Sequence, residues 1–371
     1  MNKKIKVYLQ YPWKFPDSPY YKYLIDAPPE GIEFLNVRKQ KGVITNNRFF
    51  VFSNILKKNI RKAAKFLAPS LPNAHLSPKG NYELIHCAHC LSRNKDKSWV
   101  ADIEYASQMW VAGSTPKNKK NARKLLLSKN CKKIISWTKL MEKELLQKFP
   151  EIKDKLEVVY PGVPVLSDKR KKHKGIVLSF VARYFYKKGG LHALEVMDLL
   201  TKKYENVSGI IVAEVPEEVK RMFSKNKKIQ FKGLMNQRKL IEDVYSITDI
   251  FVYPGYSDSF GFAIPEVMGM GIPVVSVNGS SRKEIISDNE NGFVIDTSLN
   301  QRELVRISSE LKSEETKRLI AKMVEKTESL ILDRKLLLKF SKNAKNEIKN
   351  GKFSIARQKR EIGRIYGEAL E

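Results

Sequence analysis

Apolar residues in this chain fall into short, nearly unbroken runs separated by stretches in which they recur at helical spacing. In the first half Ile5-Lys-Val-Tyr-Leu9, Ile32-Glu-Phe-Leu35, Glu83-Leu-Ile-His86, Trp99-Val-Ala-Asp-Ile103, Lys133-Ile-Ile-Ser136 and Leu156-Glu-Val-Val-Tyr160 read as strands. Their alternation with helical segments predicts a parallel sheet covered on both faces. A second series starts at Ile176-Val-Leu-Ser-Phe-Val-Ala182 and continues through Asp249-Ile-Phe-Val-Tyr-Pro254 and Val274-Val-Ser-Val277. Between the series lie Pro161-Gly162-Val163-Pro164 and the charge run Asp168-Lys-Arg-Lys-Lys-His-Lys174, a composition that suits a linker. The pattern predicts an α/β chain with two Rossmann-like, doubly wound parallel-sheet domains, residues 1–165 and 166–353, each long enough to bury a core. From Ser354 onward Ile362, Ile365, Tyr366 and Leu370 mark one face of a closing amphipathic helix, residues 354–371.

Two places in the second series carry chemistry. Strand 176–182 is followed by Arg183-Tyr-Phe-Tyr-Lys-Lys188-Gly-Gly190 and then a helix with Leu191, Leu194, Met197 and Leu200 on one face. A forked cation and a point cation on a turn closed by two glycines form a workable cradle for a diphosphate; by themselves they equally suit a solvated basic turn. Strand 249–254 runs into Gly255-Tyr-Ser-Asp258-Ser-Phe260-Gly261-Phe262 and a helix bearing Pro265 and Glu266 in its first turn. Loops at the carboxyl ends of parallel strands are where open α/β sheets bind ligands. Gly261 allows close backbone approach, and Glu266 is placed either to accept ribose hydroxyls or to compensate the helix dipole.

Arg183, Lys188 and Gly189 match the R-x4-K-G motif, and Asp258 through Glu266 the E-x7-E region, of family 4 retaining glycosyltransferases, which this chain resembles. Asp258 stands where that family has its first Glu. The resemblance covers the C-terminal half strongly and the N-terminal half by strand pattern only. It implies the GT-B fold, with two domains facing a central cleft and the final helix returning to the first. It further implies that Arg183 and Lys188 neutralise a leaving diphosphate, that Glu266 holds the nucleotide ribose, and that Asp258 with the Phe260-Gly261-Phe262 backbone holds the transferred sugar. Family members commonly carry a Gly-Gly turn after the first strand, but Tyr11-Pro-Trp-Lys-Phe-Pro-Asp-Ser-Pro-Tyr20 takes its place here. Many also end an N-terminal strand with a His that faces the donor sugar. Glu104 occupies that position, giving a catalytic candidate; Asp102 is a further candidate for the cleft, ranked behind Glu104 because it alternates to the other side of the strand.

Charge widens the expected partners. Lys and Arg number 69 against 40 Asp and Glu, a formal +29, so acidic partners are favoured: nucleotide phosphates, anionic lipid or nucleic acid. Phe49, Phe52, Leu56, Ile60, Ala63 and Leu67 recur at helical spacing with Lys57, Lys58, Arg61, Lys62 and Lys65 between them. This cationic amphipathic pattern predicts a membrane-surface helix, or else a core-facing one. Ser114 to Lys133 adds eight Lys and Arg and no acid. Nucleic acid is set aside for want of an aromatic stacking motif or a reading helix. His86-Cys87-Ala88-His89-Cys90 packs ligand types too closely for a closed zinc site, so no metal is expected, and His86 or His89 is a candidate for the cleft or for a buried structural role. Three cysteines make no disulfide framework, and no apolar run is long enough to span a bilayer. The expectation is a metal-independent enzyme without cofactor, cytoplasmic and peripheral on the inner membrane face, which moves a sugar from a nucleotide-diphosphate sugar to a lipid-linked or glycan acceptor. A sugar-nucleotide epimerase on the same fold is the alternative enzyme, and a basic nucleic-acid-binding protein the alternative binder.

Overall fold

A computed structural model of the chain describes residues 4–11, 18–37, 71–111, 113 and 115–371. The 49–67 segment, with Lys57, Lys58, Arg61, Lys62 and Lys65, lies outside the described residues. The chain divides into two compact units, Met1–Gly162 with Lys352–Glu371, and Val163–Gly351.

Each unit is built on a six-stranded sheet, and every pairing within both sheets is parallel. In the first, the strands lie in the order Ile32–Leu35, Ile5–Gln10, Leu84–Ala88, Ser98–Ile103, Cys131–Ser136, Leu156–Val158. Its central strands are buried along nearly their whole length, as a sheet with helices on both faces requires. In the second the order is Ile229–Lys232, Val207–Val212, Ile176–Val181, Ile250–Val252, Val274–Val277, Gly292–Ile295. The strand order therefore reverses between Ile176–Val181 and Ile250–Val252, where Leu178 pairs with Ile250 and Ser179 with Phe251. In a doubly wound sheet the connections leave on opposite faces at such a point, and a crevice opens beyond the carboxyl ends of the two strands.

Local sequence explains the helices that border this crevice. Gly190–Lys203 buries Leu191, Leu194, Met197 and Leu200, the expected apolar face. Ahead of it Gly189 takes a left-handed φ of 76°, and a β-carbon there would lie 2.5 Å from the Pro254 side chain. Only glycine lets the 183–190 turn press this closely on the loop after strand Ile250–Val252. The Gly255 amide donates to the Lys188 carbonyl at 3.0 Å across that contact. In the first unit the closing helix Ile355–Glu368 is capped by Ser354, whose hydroxyl accepts from the Arg357 amide, and it buries Ile362, Ile365 and Tyr366.

Candidate functional site

The two loops at the reversal point meet through charge. Lys188 Nζ donates to Asp258 Oδ1 and to the Ser257 carbonyl. Asp258 Oδ2 accepts from Tyr253 Oη at 2.8 Å and from Arg282 Nη2 at 3.1 Å. Burial, then the Asp258 charge, pushes the Tyr253 phenol well above its ordinary pKa, so it remains a donor. The Asp258 carboxylate is thus held by two cations and a phenol. Sequence reasoning placed Lys188 on a phosphate and Asp258 on a sugar without pairing them; their proximity follows from the reversal of strand order. Arg282 was missed altogether. It opens the short helix Arg282–Ile285, in a stretch that reads as polar surface, yet its side chain is fully buried.

Arg183 is half-buried, following the strand that ends at Val181 and preceding Lys188 on the same turn. Phe260 is buried, its ring 4.9 Å from that of the half-buried Phe262 and tilted 58° to it, with Gly261 between them at φ 85°. Glu266 lies in the first turn of Ala263–Gly269, is 8% exposed, and accepts from Gln237 Nε2 at 3.3 Å. Burial, with Glu266's charge second, raises the nearby Tyr245 phenol. A carboxylate this buried on a helix of only seven residues is more than dipole compensation needs.

In the first unit the structure corrects two placements. Strand Leu84–Ala88 runs past His86, which sits in mid-strand paired with Leu9 and Val100 rather than at the strand's mouth. It is wholly buried, with Nδ1 2.5 Å from Tyr366 Oη of the returning helix and Nε2 2.8 Å from Asp102 Oδ2. With Nε2 donating to the carboxylate, Nδ1 is the acceptor for the phenol. Asp102 also accepts from Tyr21 Oη at 2.5 Å and from the His89 amide at 3.3 Å. These contacts make His86 and Asp102 one internal network. Glu104 lies just past strand Ser98–Ile103, and Tyr105 stands at the N-cap of the following turn. Glu104 Oε2 is 3.5 Å from His89 Nε2, so these two candidates come together at the strand ends, beside Tyr105 and Trp137. Burial lowers the His89 pKa to about 4, against the opposing pull of Asp102, and the imidazole is neutral at pH 7.

The three cysteines are buried thiols, and among the described residues no three His, Cys, Asp or Glu side chains converge as a metal site. None of the described helices is long and apolar enough to cross a membrane.

Arg183, Lys188, Asp258 and Glu266 thus lie on the loops and the helix start that follow strands flanking a strand-order reversal, the place where doubly wound α/β domains bind ligands. Residues 166–347 match the family described as glycosyl transferases group 1. A probable sucrose-phosphate synthase of Thermosipho melanesiensis is 29% identical over 173 residues, 42% of this chain and 40% of its own length. The chain thus aligns with about two fifths of that curated relative. Among solved structures, a glycosyltransferase from Rickettsia africae superposes with a TM-score of 0.63 at 17% identity, covering 100% of both chains. Anabaena HepE, solved in complex with UDP, gives 0.59 at 14% identity over 98% of this chain and 99% of its own. The two-domain fold is accordingly that of the GT-B glycosyltransferases.

Proposed function

We propose that this protein is a retaining glycosyltransferase that moves a sugar from a nucleotide-diphosphate sugar to a lipid-linked or glycan acceptor. The observation that carries the reading is the convergence of Lys188 and Asp258 at the strand-order reversal, inside the segment that matches the family. Arg183 and Lys188 neutralise the diphosphate as the glycosidic bond breaks, stabilising charge where it develops. Glu266 accepts hydrogen bonds from the ribose; Asp258 and the Phe260-Gly261-Phe262 backbone hold the sugar. The two cations supply the countercharge, so the reaction is assigned no metal. Transfer is assigned to the front face, with the leaving phosphate taking the acceptor proton. Acceptor recognition is assigned to the carboxyl ends of the first unit's strands, where Glu104 and His89 lie.

The test is turnover of a panel of UDP-, GDP- and ADP-sugars with and without chelator, followed by NMR of the released sugar. One nucleotide sugar should release its nucleoside diphosphate, insensitive to chelator, with the anomeric configuration retained. Epimerised donor without diphosphate release would establish the epimerase instead, and inversion would overturn the retaining assignment.

We further propose peripheral attachment to anionic membrane through the basic face of the first unit. Lys117, Lys119, Lys120, Arg123 and Lys124 of helix Pro116–Leu126 are exposed, and the five cations of the 49–67 segment precede that helix in the sequence. Each cation near an acidic surface contributes about 1 kcal/mol. Reversing Lys57, Lys58, Arg61, Lys62 and Lys65 to Glu should abolish co-sedimentation with anionic vesicles and leave nucleotide-sugar turnover intact. Pelleting by the reversed protein, or none by the wild type, would refute the attachment.

A further inference from the structure

Arg282 is fully buried, and the loop of the proposed donor site is built around it. Its Nη2 donates to the Gly255 carbonyl and to Asp258 Oδ2, while Ser281 Oγ beside it donates to the Ser259 carbonyl at 2.9 Å. Gly255 and Gly261 both take left-handed φ values, 66° and 85°. A β-carbon at Gly255 would stand 2.6 Å from Arg282 Nη2, and one at Gly261 3.2 Å from Nη1. The backbone therefore closes on the guanidinium from two sides. Nε and Nη1 have no hydrogen-bond partner among the described residues, an uncommon state for buried N–H groups.

We propose that Arg282 is a positioning residue that keeps Asp258 in place when the donor's diphosphate draws Lys188 away. This inference rests on the donor-site reading above. In the chain as it stands Lys188 and Arg282 share one carboxylate. A diphosphate carries more charge than Asp258 and competes for the mobile lysine, whose ammonium is a point charge on a flexible stem. Without Arg282, departure of Lys188 would leave a mostly buried carboxylate with the Tyr253 hydroxyl alone. Arg282 is always charged, cannot follow the phosphate out of its enclosure, and has spare N–H groups with which to fork onto Asp258. Binding of the donor and orientation of Asp258 are thereby separated between two cations.

The experiment measures turnover of the best nucleotide sugar from the panel and calorimetric affinity for its nucleoside diphosphate, in wild type, Arg282→Gln, Arg282→Lys, Asp258→Asn and the Asp258→Asn/Arg282→Gln double variant. Arg282→Gln should lower kcat about 10-fold or more with diphosphate affinity within about 3-fold of wild type. Arg282→Lys should recover part of that loss, and the double variant should be no slower than Asp258→Asn alone. Wild-type turnover in Arg282→Gln, equal losses of turnover and affinity, or additive effects in the double variant would each overturn the proposal. Should Arg282→Gln fail to fold, Arg282→Lys decides: reduced kcat with unchanged affinity supports the role, and full kcat refutes it. A wild type that binds no nucleoside diphosphate would instead defeat the donor-site reading itself.

Discussion

Replacing Lys188 by alanine is expected to lower sugar transfer about 10²-fold or more, because the charge it supplies is needed most where the diphosphate departs. The variant should still fold. Lys188 is half-buried on a surface turn, and the Asp258 it leaves keeps Arg282 and Tyr253 as donors. Glu266→Gln should cost a comparable factor for a different reason. It removes the charge that makes its hydrogen bonds to the ribose strong, while the amide preserves shape in a position only 8% exposed. The two variants differ in which part of the donor they loosen. Comparing free nucleoside with nucleoside diphosphate as inhibitor separates them: Lys188→Ala should weaken only the diphosphate, and Glu266→Gln both. Near-normal turnover in either variant would remove that residue from the site.

The largest stability loss is expected at Asp102. Three donors converge on this fully buried carboxylate, from Tyr21, His86 and the His89 backbone. Asp102→Ala orphans all of them and opens a cavity, a combination that costs about 3–5 kcal/mol. Through His86 the network also reaches Tyr366, so the returning helix should loosen with the first unit. All four tryptophans, at positions 13, 99, 110 and 137, belong to that unit, so denaturant unfolding followed by tryptophan fluorescence reports on it selectively. The midpoint should fall sharply while nucleoside diphosphate binding by the second unit persists at low denaturant. A shift equivalent to less than about 1 kcal/mol would mean that the network does not hold the unit together.

The contrast between these two sites shows what the sequence made legible. Short apolar runs such as Ile176–Val181 and Val274–Val277 announce buried parallel strands, because nothing else explains unbroken apolar residues between glycine-bearing turns. Arg183, Lys188 and Glu266 stood out as candidates since each sits close to a strand end or a helix start, features that are local in sequence. Pairings across long separations were not readable. Arg282 reaches Asp258 over 24 positions, and Tyr366 reaches His86 over 280. Ser280-Ser281-Arg282-Lys283-Glu284 has the composition of exposed surface, and only the two glycines flanking Asp258 in the loop hint that a bulky group must fit beside it. Asp102 and His86 were misplaced because strand alternation fixes the face on which a side chain lies but not how far a strand extends, nor which helix returns to cover it.

The central claim is that the loops at the strand-order reversal of the second unit bind the diphosphate of a nucleotide sugar. Calorimetric titration of UDP, GDP and ADP into wild type and Lys188→Ala tests it most directly. The account predicts saturable one-to-one binding of at least one nucleoside diphosphate by the wild type, weakened about 10-fold or more in Lys188→Ala, with the parent nucleoside unaffected by the substitution. Equal affinity in the two proteins, or no binding by the wild type, would contradict it.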